Sequence, residues 1–440
     1  MAGAPPLAPR AQGAAELSVV LDLRAVRPLN EVELARWPDL GEPRRAPIRA
    51  RAARLVLQRA VQRAGLRLKF PDGTSLGPAA GPVLEVRRPE AFFTRLGRDG
   101  LIGFGEAYMA GDWDAPSVVD VLEALARNVD TLVPPRLQWV RRLYGPRQPR
   151  HEDNDRDGAR RNIARHYDLS NDLFAAFLDE TMTYSSALFT EGADECLARA
   201  QERKIDRLLD ATGVGPGSRL LEIGTGWGEL ALRAARRGAR VTSVTLSEEQ
   251  ATLARERIEE SGLSSAIDVR VEDYRDVTGQ YDAVVSVEMI EAVGEKWWPE
   301  FFRTLERRLA PSGRIGLQTI LMADERLRAT RGSWTWIHKY IFPGGLIPSE
   351  QAIRRTVGDH TSLQVVDLLH FGESYATTLH HWRKMFEARA EHVDRIGFDR
   401  TFRKMWDFYL AYSEAGFRSG YLTVAQIVFS RSVSPDRTQK

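Results

Sequence analysis

The chain has 440 residues, 43% of them hydrophobic, enough to bury large cores in two or three domains. Its 62 Lys and Arg residues balance 60 Asp and Glu, so net charge alone names no partner. The single cysteine, Cys196, excludes an internal disulfide and a cysteine-built metal site, and it is expected on a helix, buried or half-buried.

The first residues, Met-Ala-Gly-Ala-Pro-Pro, lack the charged segment and apolar core of a secretory signal, and no apolar run approaches the roughly 20 residues that span a bilayer. From Arg44 to Lys69 there are nine basic residues and no acid, and Ile48, Ala52, Leu55 and Val56 fall on one helical face. This pattern predicts a basic amphipathic helix able to lie on an anionic membrane surface, against the alternative of an ordinary solvated face. Phe70-Pro-Asp-Gly-Thr74 predicts a hairpin, and a small α+β region ends near Ala126. A second basic run, Arg136 to Arg165, with Pro134, Pro135, Pro146 and Pro149, reads as a linker. No recognised nucleic-acid module accompanies these basic stretches. The expected domains are therefore 1–150, an accessory part with its linker, and 151–440.

The second part carries the chemistry. Arg219-Leu-Leu-Glu-Ile-Gly-Thr-Gly-Trp-Gly-Glu-Leu230 reads as a buried strand running into a glycine turn that opens a helix. Gly224, Gly226 and Gly228 follow GxGxG spacing rather than GxGxxG, which favours S-adenosylmethionine over a dinucleotide. Further strands are expected at 239–246, 267–271, 281–287 and 313–320, with helices from Ser247 to about Ser261 and from Trp297 to Leu309. This alternation predicts a doubly wound α/β sheet, a Rossmann-like core with its ligand at the strand carboxyl ends. Candidate site segments follow the strands: Glu222 to Gly228, Thr245 to Gln250, Glu272 to Tyr274 and Glu288 to Glu291. From about Asp324 onward, helical additions rich in aromatic residues are expected. His338, His380 and His381 lack the spacing and carboxylate neighbours of a zinc site, so no metal is expected.

Several segments, in order, resemble the cyclopropane fatty acyl phospholipid synthases, a family of S-adenosylmethionine-dependent methyltransferases. They are His166-Tyr-Asp-Leu-Ser-Asn-Asp-Leu-Phe174, Tyr184-Ser-Ser-Ala-Leu-Phe189, Val244-Thr-Leu-Ser-Glu-Glu-Gln250, Asp273-Tyr-Arg-Asp276, Val285-Ser-Val-Glu-Met-Ile-Glu-Ala-Val-Gly294, Lys339-Tyr-Ile-Phe-Pro-Gly-Gly345 and Phe371-Gly-Glu-Ser-Tyr375. Gly100 to Trp113 also resembles the accessory domain of that family.

The resemblance implies methyl transfer to the double bond of an unsaturated acyl chain, through a carbocation that then loses a proton; where the base sits decides the product. It implies a bicarbonate ion as that base, held by Glu291 and Tyr375 with a backbone contact at Ile320. Ser186 stands where the family has cysteine, Gln318 where it has histidine, and Ala292 where a histidine follows the glutamate. Glu291 is thus expected to act through bicarbonate or directly. The same resemblance puts Glu222 and the Gly224 to Gly228 loop near the amino acid part of the cofactor. It puts Thr245, Leu246 and Gln250 near its ribose, Asp273 and Tyr274 near its adenine, and Tyr184 and Ser185 over its methionine end. Gln250 replaces the acid that many methyltransferases carry after the second strand. Trp297, Trp298, Trp334, Trp336, Tyr340 and Phe342 are candidates for an acyl tunnel, or are simply core.

The departures look like the actinobacterial tuberculostearic-type branch. That implies oleoyl phospholipid as substrate, a 10-methylene product, a separate reductase to saturate it, and a homodimer peripheral on the cytoplasmic face of the membrane. A cyclopropane product stays open, as do a soluble small-molecule substrate and a non-catalytic lipid-binding protein.

Overall fold

A computed structural model describes residues 30–129, 149, 152–167, 170–190 and 195–432, with the side chains of 163–167 left aside. The opening residues, Pro134, Pro135, Pro146, most of the expected linker and part of the His166 to Phe174 segment lie outside this description.

The N-terminal part carries a four-stranded sheet of short strands: β1 (Arg67–Lys69), β2 (Ser75–Leu76), β3 (Val83–Val86) and β4 (Trp113–Asp114), in the order β2-β1-β3-β4. The expected hairpin joins β1 to β2: the Phe70 N–H donates to Thr74 O at 2.9 Å, and Asp72 Oδ1 accepts from the Thr74 N–H at 2.9 Å. Its longer helices are Pro47–Ala64, Pro89–Asp99, Leu101–Met109 and Val118–Arg127, preceded by short helical turns at Glu31–Arg36 and Pro38–Leu40. In Pro47–Ala64, Leu57, Ala60 and Val61 are buried, whereas Ile48, Leu55 and Val56 are 83%, 56% and 57% exposed. The helix therefore has two apolar stripes, and only one is covered by the protein.

The second sheet has seven strands: β5 (Arg219–Ile223), β6 (Arg240–Thr245), β7 (Ile267–Val271), β8 (Tyr281–Val287), β9 (Leu309–Met322), β10 (Leu363–His370) and β11 (Leu422–Arg431). Their order is β10-β11-β9-β8-β5-β6-β7. β5 to β9 run parallel, as the strand-helix alternation predicts, and β5 and β8 are near-continuous apolar runs because helices cover both sheet faces. Residues after 324 are not only helical: β11 runs antiparallel beside β9 and β10 pairs antiparallel with β11 at the sheet edge, correcting the expectation of helical additions alone. The chain lays β6 and β7 on one side of β5 and β8 and β9 on the other, and this change in strand order leaves a crevice at the carboxyl ends of β5 and β8.

The helices Gly372–Ala388 and Arg400–Arg418 cover that crevice, and Arg400–Arg418 also ties down the N-terminal part. Tyr108 Oη donates to Asp407 Oδ2 at 2.7 Å, Arg418 pairs with Glu123 at 2.8 Å, and the Trp37 indole donates to Asp399 Oδ2 at 3.0 Å. One apolar cluster runs from Leu66 and Phe92 through Trp113 to Trp382 and Trp406, so the two parts share a core. Cys196 is exposed at the N-cap of the Leu197–Thr212 helix, not buried in one: it precedes the first turn, where the chain is extended.

Candidate active site

A cavity opens at the carboxyl ends of β5, β6, β7 and β8. Among its lining residues are Tyr184, Ser185, Glu222, Gly224, Gly226, Thr245, Leu246, Gln250, Asp273 and Tyr274, so the sequence-predicted cofactor residues converge there. Gly228 is the exception. It has φ 89°, and a Cβ on it would meet the Ala254 side chain at 3.2 Å; it permits close helix packing rather than lining the cavity. At Gly226, with φ 51°, a Cβ would project into open space, where a ligand has to approach the backbone.

The glycine turn is braced from outside. The Trp227 indole donates to Asn171 Oδ1 at 2.8 Å, and Arg257 donates to Trp227 O at 2.5 Å and to Glu229 Oε2 at 2.9 Å. Glu222 is 3% exposed, bonded to the Ser243 hydroxyl at 2.5 Å, and burial pushes its carboxyl up to about 8 against the opposing pull of Ser243 and Lys204. Thr245 Oγ1 donates to Gln250 Oε1 at 3.1 Å, which fixes the amide at the cavity wall. Asp273 is held by Arg275 through Nε at 2.8 Å and NH2 at 2.7 Å. These residues suit S-adenosylmethionine: a buried carboxyl with no full counter-charge matches an ammonium group, and a trimmed glycine backbone matches close approach.

The predicted base constellation is assembled, but around a different residue. Glu288 Oε1 accepts from the Ser186 N–H at 2.9 Å and from Gln318 Nε2 at 2.9 Å, and its Oε2 accepts from Tyr375 Oη at 2.6 Å. Burial raises the Glu288 carboxyl, while those three donors and Lys204 oppose the rise. Glu291 has other partners. Its Oε1 accepts from Thr319 Oγ1 at 2.9 Å and the Ile320 N–H at 2.5 Å, and Oε2 is buried without a hydrogen-bond partner. Burial and then the Glu288 charge push Glu291 up to about 8. So Ser186, Gln318 and Tyr375 meet at Glu288, and Ile320 meets Glu291. The Ser186 hydroxyl turns away to Ala187 O at 2.9 Å, so its backbone serves the site.

Sequence reading did not single out Glu288 as the acceptor of these donors, although it lies in the segment expected after β8. The available signal was a second acid three residues before Glu291. Glu288 and Met182 are the non-glycine residues with positive φ among the described residues, at 49° and 55°, and both line the cavity. Strained backbone at a site, held by surrounding bonds, marks a position where geometry outweighs local comfort. Gln318 is oriented from behind. Its Oε1 accepts from Gln426 Nε2 at 3.0 Å, and Gln426 Oε1 accepts from Arg207 at 2.7 Å. Arginine only donates, so it fixes the Gln426 amide, and through it the Gln318 amide presents its NH₂ to Glu288.

The aromatic residues around this site are not those expected. Tyr375 stacks on Phe417 at 4.4 Å, Tyr184 lies 5.2 Å from Trp382, and the Tyr184 and Tyr409 hydroxyls are 2.6 Å apart. Trp298 and Trp336 are buried core, Trp297 lies under the Arg275 and Lys296 cations, and Trp334 and Tyr340 bond Glu152 and Glu106. Phe342 alone reaches the edge, 5.7 Å from Tyr409.

The sheet order, the glycine turn and the cavity define a class I S-adenosylmethionine-dependent methyltransferase. Residues 154–427 match the family model described as mycolic acid cyclopropane synthetase, and the chain belongs to that family. It is 52% identical over 419 residues to tuberculostearic acid methyltransferase UfaA1 of Mycobacterium tuberculosis, covering 93% of this chain and 98% of that one. It is 34% identical over 363 residues to cyclopropane-fatty-acyl-phospholipid synthase of Escherichia coli, covering 82% and 91%. Among solved structures, mycolic acid cyclopropane synthase CmaA1 complexed with SAH and CTAB is similar, with a TM-score of 0.57 and 28% identity, over 64% of this chain and 99% of that one.

Proposed function

We propose that the protein adds a methyl carbon to the double bond of an oleoyl chain in a phospholipid and releases a 10-methylene product. The observation that carries this reading is the hydrogen-bonded carboxylate of Glu288 at the wall of the cofactor cavity, in a chain half identical to a tuberculostearic acid methyltransferase. S-adenosylmethionine supplies an electrophilic methyl group when bound. The chain's own residues do the rest: Glu222 takes the cofactor's ammonium, Gln250 and Thr245 its ribose, and Asp273 and Tyr274 its adenine, while Tyr184 and Ser185 close over the methionine end. The buried aromatic wall of Phe174, Phe177, Trp382 and Trp406 keeps water from the cation that the alkene becomes. The bicarbonate implied by the resemblance is no part of this reading, because the donors that would hold it already serve Glu288.

The test is mass spectrometry of fatty acids after incubation with S-adenosylmethionine and oleoyl phospholipid vesicles, locating the added carbon. A mid-chain methylene is expected. A cyclopropane would replace that product with the one named for the Escherichia coli relative, and transfer only to a soluble acceptor would reject the lipid reading.

The protein is further proposed to act at the cytoplasmic face of the membrane. Supporting this, the exposed stripe of Ile48, Leu55 and Val56 lies within the acid-free basic stretch, the combination that docks on anionic headgroups. Among the described residues no helix is long and apolar enough to cross a membrane. Saturation of the methylene needs a hydride donor, and the sequence offers one convincing cofactor loop, so that step is assigned to a separate reductase. A homodimer is expected from the family resemblance, and light scattering on the purified protein tests it.

A further inference from the structure

We propose that the Glu288 carboxylate is itself the base that removes the proton from the methylated acyl chain, standing where the family resemblance expects a bound bicarbonate. This rests on the alkene-methylation reading above. A carboxylate and a bicarbonate present the same planar O–C–O edge to donors, so one set of donors holds either but not both. Here the Ser186 N–H, Gln318 Nε2 and Tyr375 Oη all point at Glu288.

Three features suit Glu288 to accept a proton. First, Oε1 takes two hydrogen bonds and Oε2 one, which leaves a lone pair on Oε2 in a side chain that lines the cofactor cavity. Second, the group at 318 is an amide rather than an imidazole, and its orientation is set from Arg207 through Gln426. An amide so held donates to the base and cannot compete with it for the proton. Third, a neighbouring carboxyl, Glu291, has only one oxygen bonded. Two close carboxyls divide their ionisation: the one with three donors carries the charge and the other keeps its proton. The left-handed backbone at Glu288 adds weight. Its N–H donates to Gln318 O at 2.7 Å, so both backbone and side chain of one residue are pinned by the same partner.

The step balances without a further reactant. The alkene π pair forms the new bond to the methyl carbon as the carbon–sulfur bond breaks, leaving S-adenosylhomocysteine and a chain carbocation. A hydride shift moves the charge to the methyl-bearing carbon. Glu288 Oε2 then takes a proton from the new methyl group, whose C–H pair becomes the methylene double bond. The neutral acid returns its proton to water when product leaves.

The experiment compares wild type, Glu288→Gln and Glu288→Gly in carbonate-stripped buffer, with and without added bicarbonate. The readouts are methyl transfer, S-adenosylhomocysteine affinity and binding of ¹³C-labelled bicarbonate by NMR. Wild-type turnover is expected to be indifferent to carbonate. Glu288→Gln should lose about 10²- to 10⁴-fold in turnover with cofactor affinity retained. Glu288→Gly, which also relieves the left-handed backbone, should bind labelled bicarbonate and regain turnover on its addition. Carbonate-dependent wild-type turnover, bicarbonate bound to wild type, or a nearly active Glu288→Gln would overturn the proposal. If wild type methylates no oleoyl phospholipid, the substrate reading fails by itself. The NMR arm still decides the anion: binding to Glu288→Gly alone supports the built-in carboxylate, and binding to wild type rejects it.

Discussion

A carboxylate's charge is decided by how many donors face it, and this site sets two acids side by side with unequal shares. Removing one donor from Glu288 should raise its pKa, because the hydrogen bonds to the ionised form hold it down. Gln318→Leu should therefore move the acid limb of the kcat–pH profile to higher pH, a shift that a merely structural residue would not cause; an unmoved limb would detach Gln318 from the base. Glu222 gives a second case. Its carboxyl is pushed up to about 8, and an ammonium ligand binds the ionised form, so wild-type affinity for S-adenosylhomocysteine should fall as pH drops below about 8. Glu222→Gln should lose that slope and weaken binding by about 2 kcal/mol, roughly 30-fold, on calorimetry. The lining residues Glu222 to Gly226, Thr245 to Gln250 and Asp273 to Tyr274 were legible in the sequence because each group follows or ends a strand with a clear apolar pattern, whereas Tyr184 and Ser185 came from the family resemblance. The partners of Glu288 and Glu291 were not legible, because two acids three residues apart on an irregular turn carry no periodicity that says which side chain faces which donor.

At the scale of elements, close approach has consequences of its own. A Cβ at Gly105 would lie 2.4 Å from Trp336 Cδ1, and Trp336 is buried and cannot swing aside. Gly105→Ala should cost about 1–3 kcal/mol by overpacking and lower the calorimetric Tm, although it lies outside the active site. A Tm equal to wild type would mean that the Leu101–Met109 helix slides freely over the tryptophan. The parallel strands β5 to β8 were legible because strand and helix patterns alternate, and β7 and β8 fall on the expected residues. β10 and β11 were not, because the long Gly372–Ala388 and Arg400–Arg418 helices separate them and β11 enters the sheet antiparallel, which breaks that alternation. The dense aromatic content of the same region favoured a helical reading. It also suggested tunnel residues where Trp298 and Trp336 in fact fill the core, since an amphipathic stripe looks the same whether it faces protein or acyl chain.

For the whole molecule, the basic helix of the N-terminal part and the cavity are held in one body by the shared apolar cluster, so the proposed docking of that helix would set where the cavity sits relative to lipid. Reversing Arg44, Arg49 and Arg51 to Glu removes three attractions of about 1 kcal/mol each, and vesicle affinity should drop by roughly two orders of magnitude in a salt-sensitive way. Ile48→Ser with Leu55→Ser should weaken the same binding without a change in Tm, because both side chains are exposed. Cosedimentation equal to wild type in both variants would reject the docking surface. The helix and its charge were plain in the sequence, but not that a second stripe, Leu57 and Val61, would take the inner side. The amide pair of Gln318 and Gln426 has a wider consequence. The two residues face each other across β9 and β11, and a slip of one residue would bury both amides without partners. The pair thus acts as a registration pin. A molecule whose β11 is unseated lacks the partner that turns the Gln318 amide toward Glu288, even if everything before residue 422 has folded.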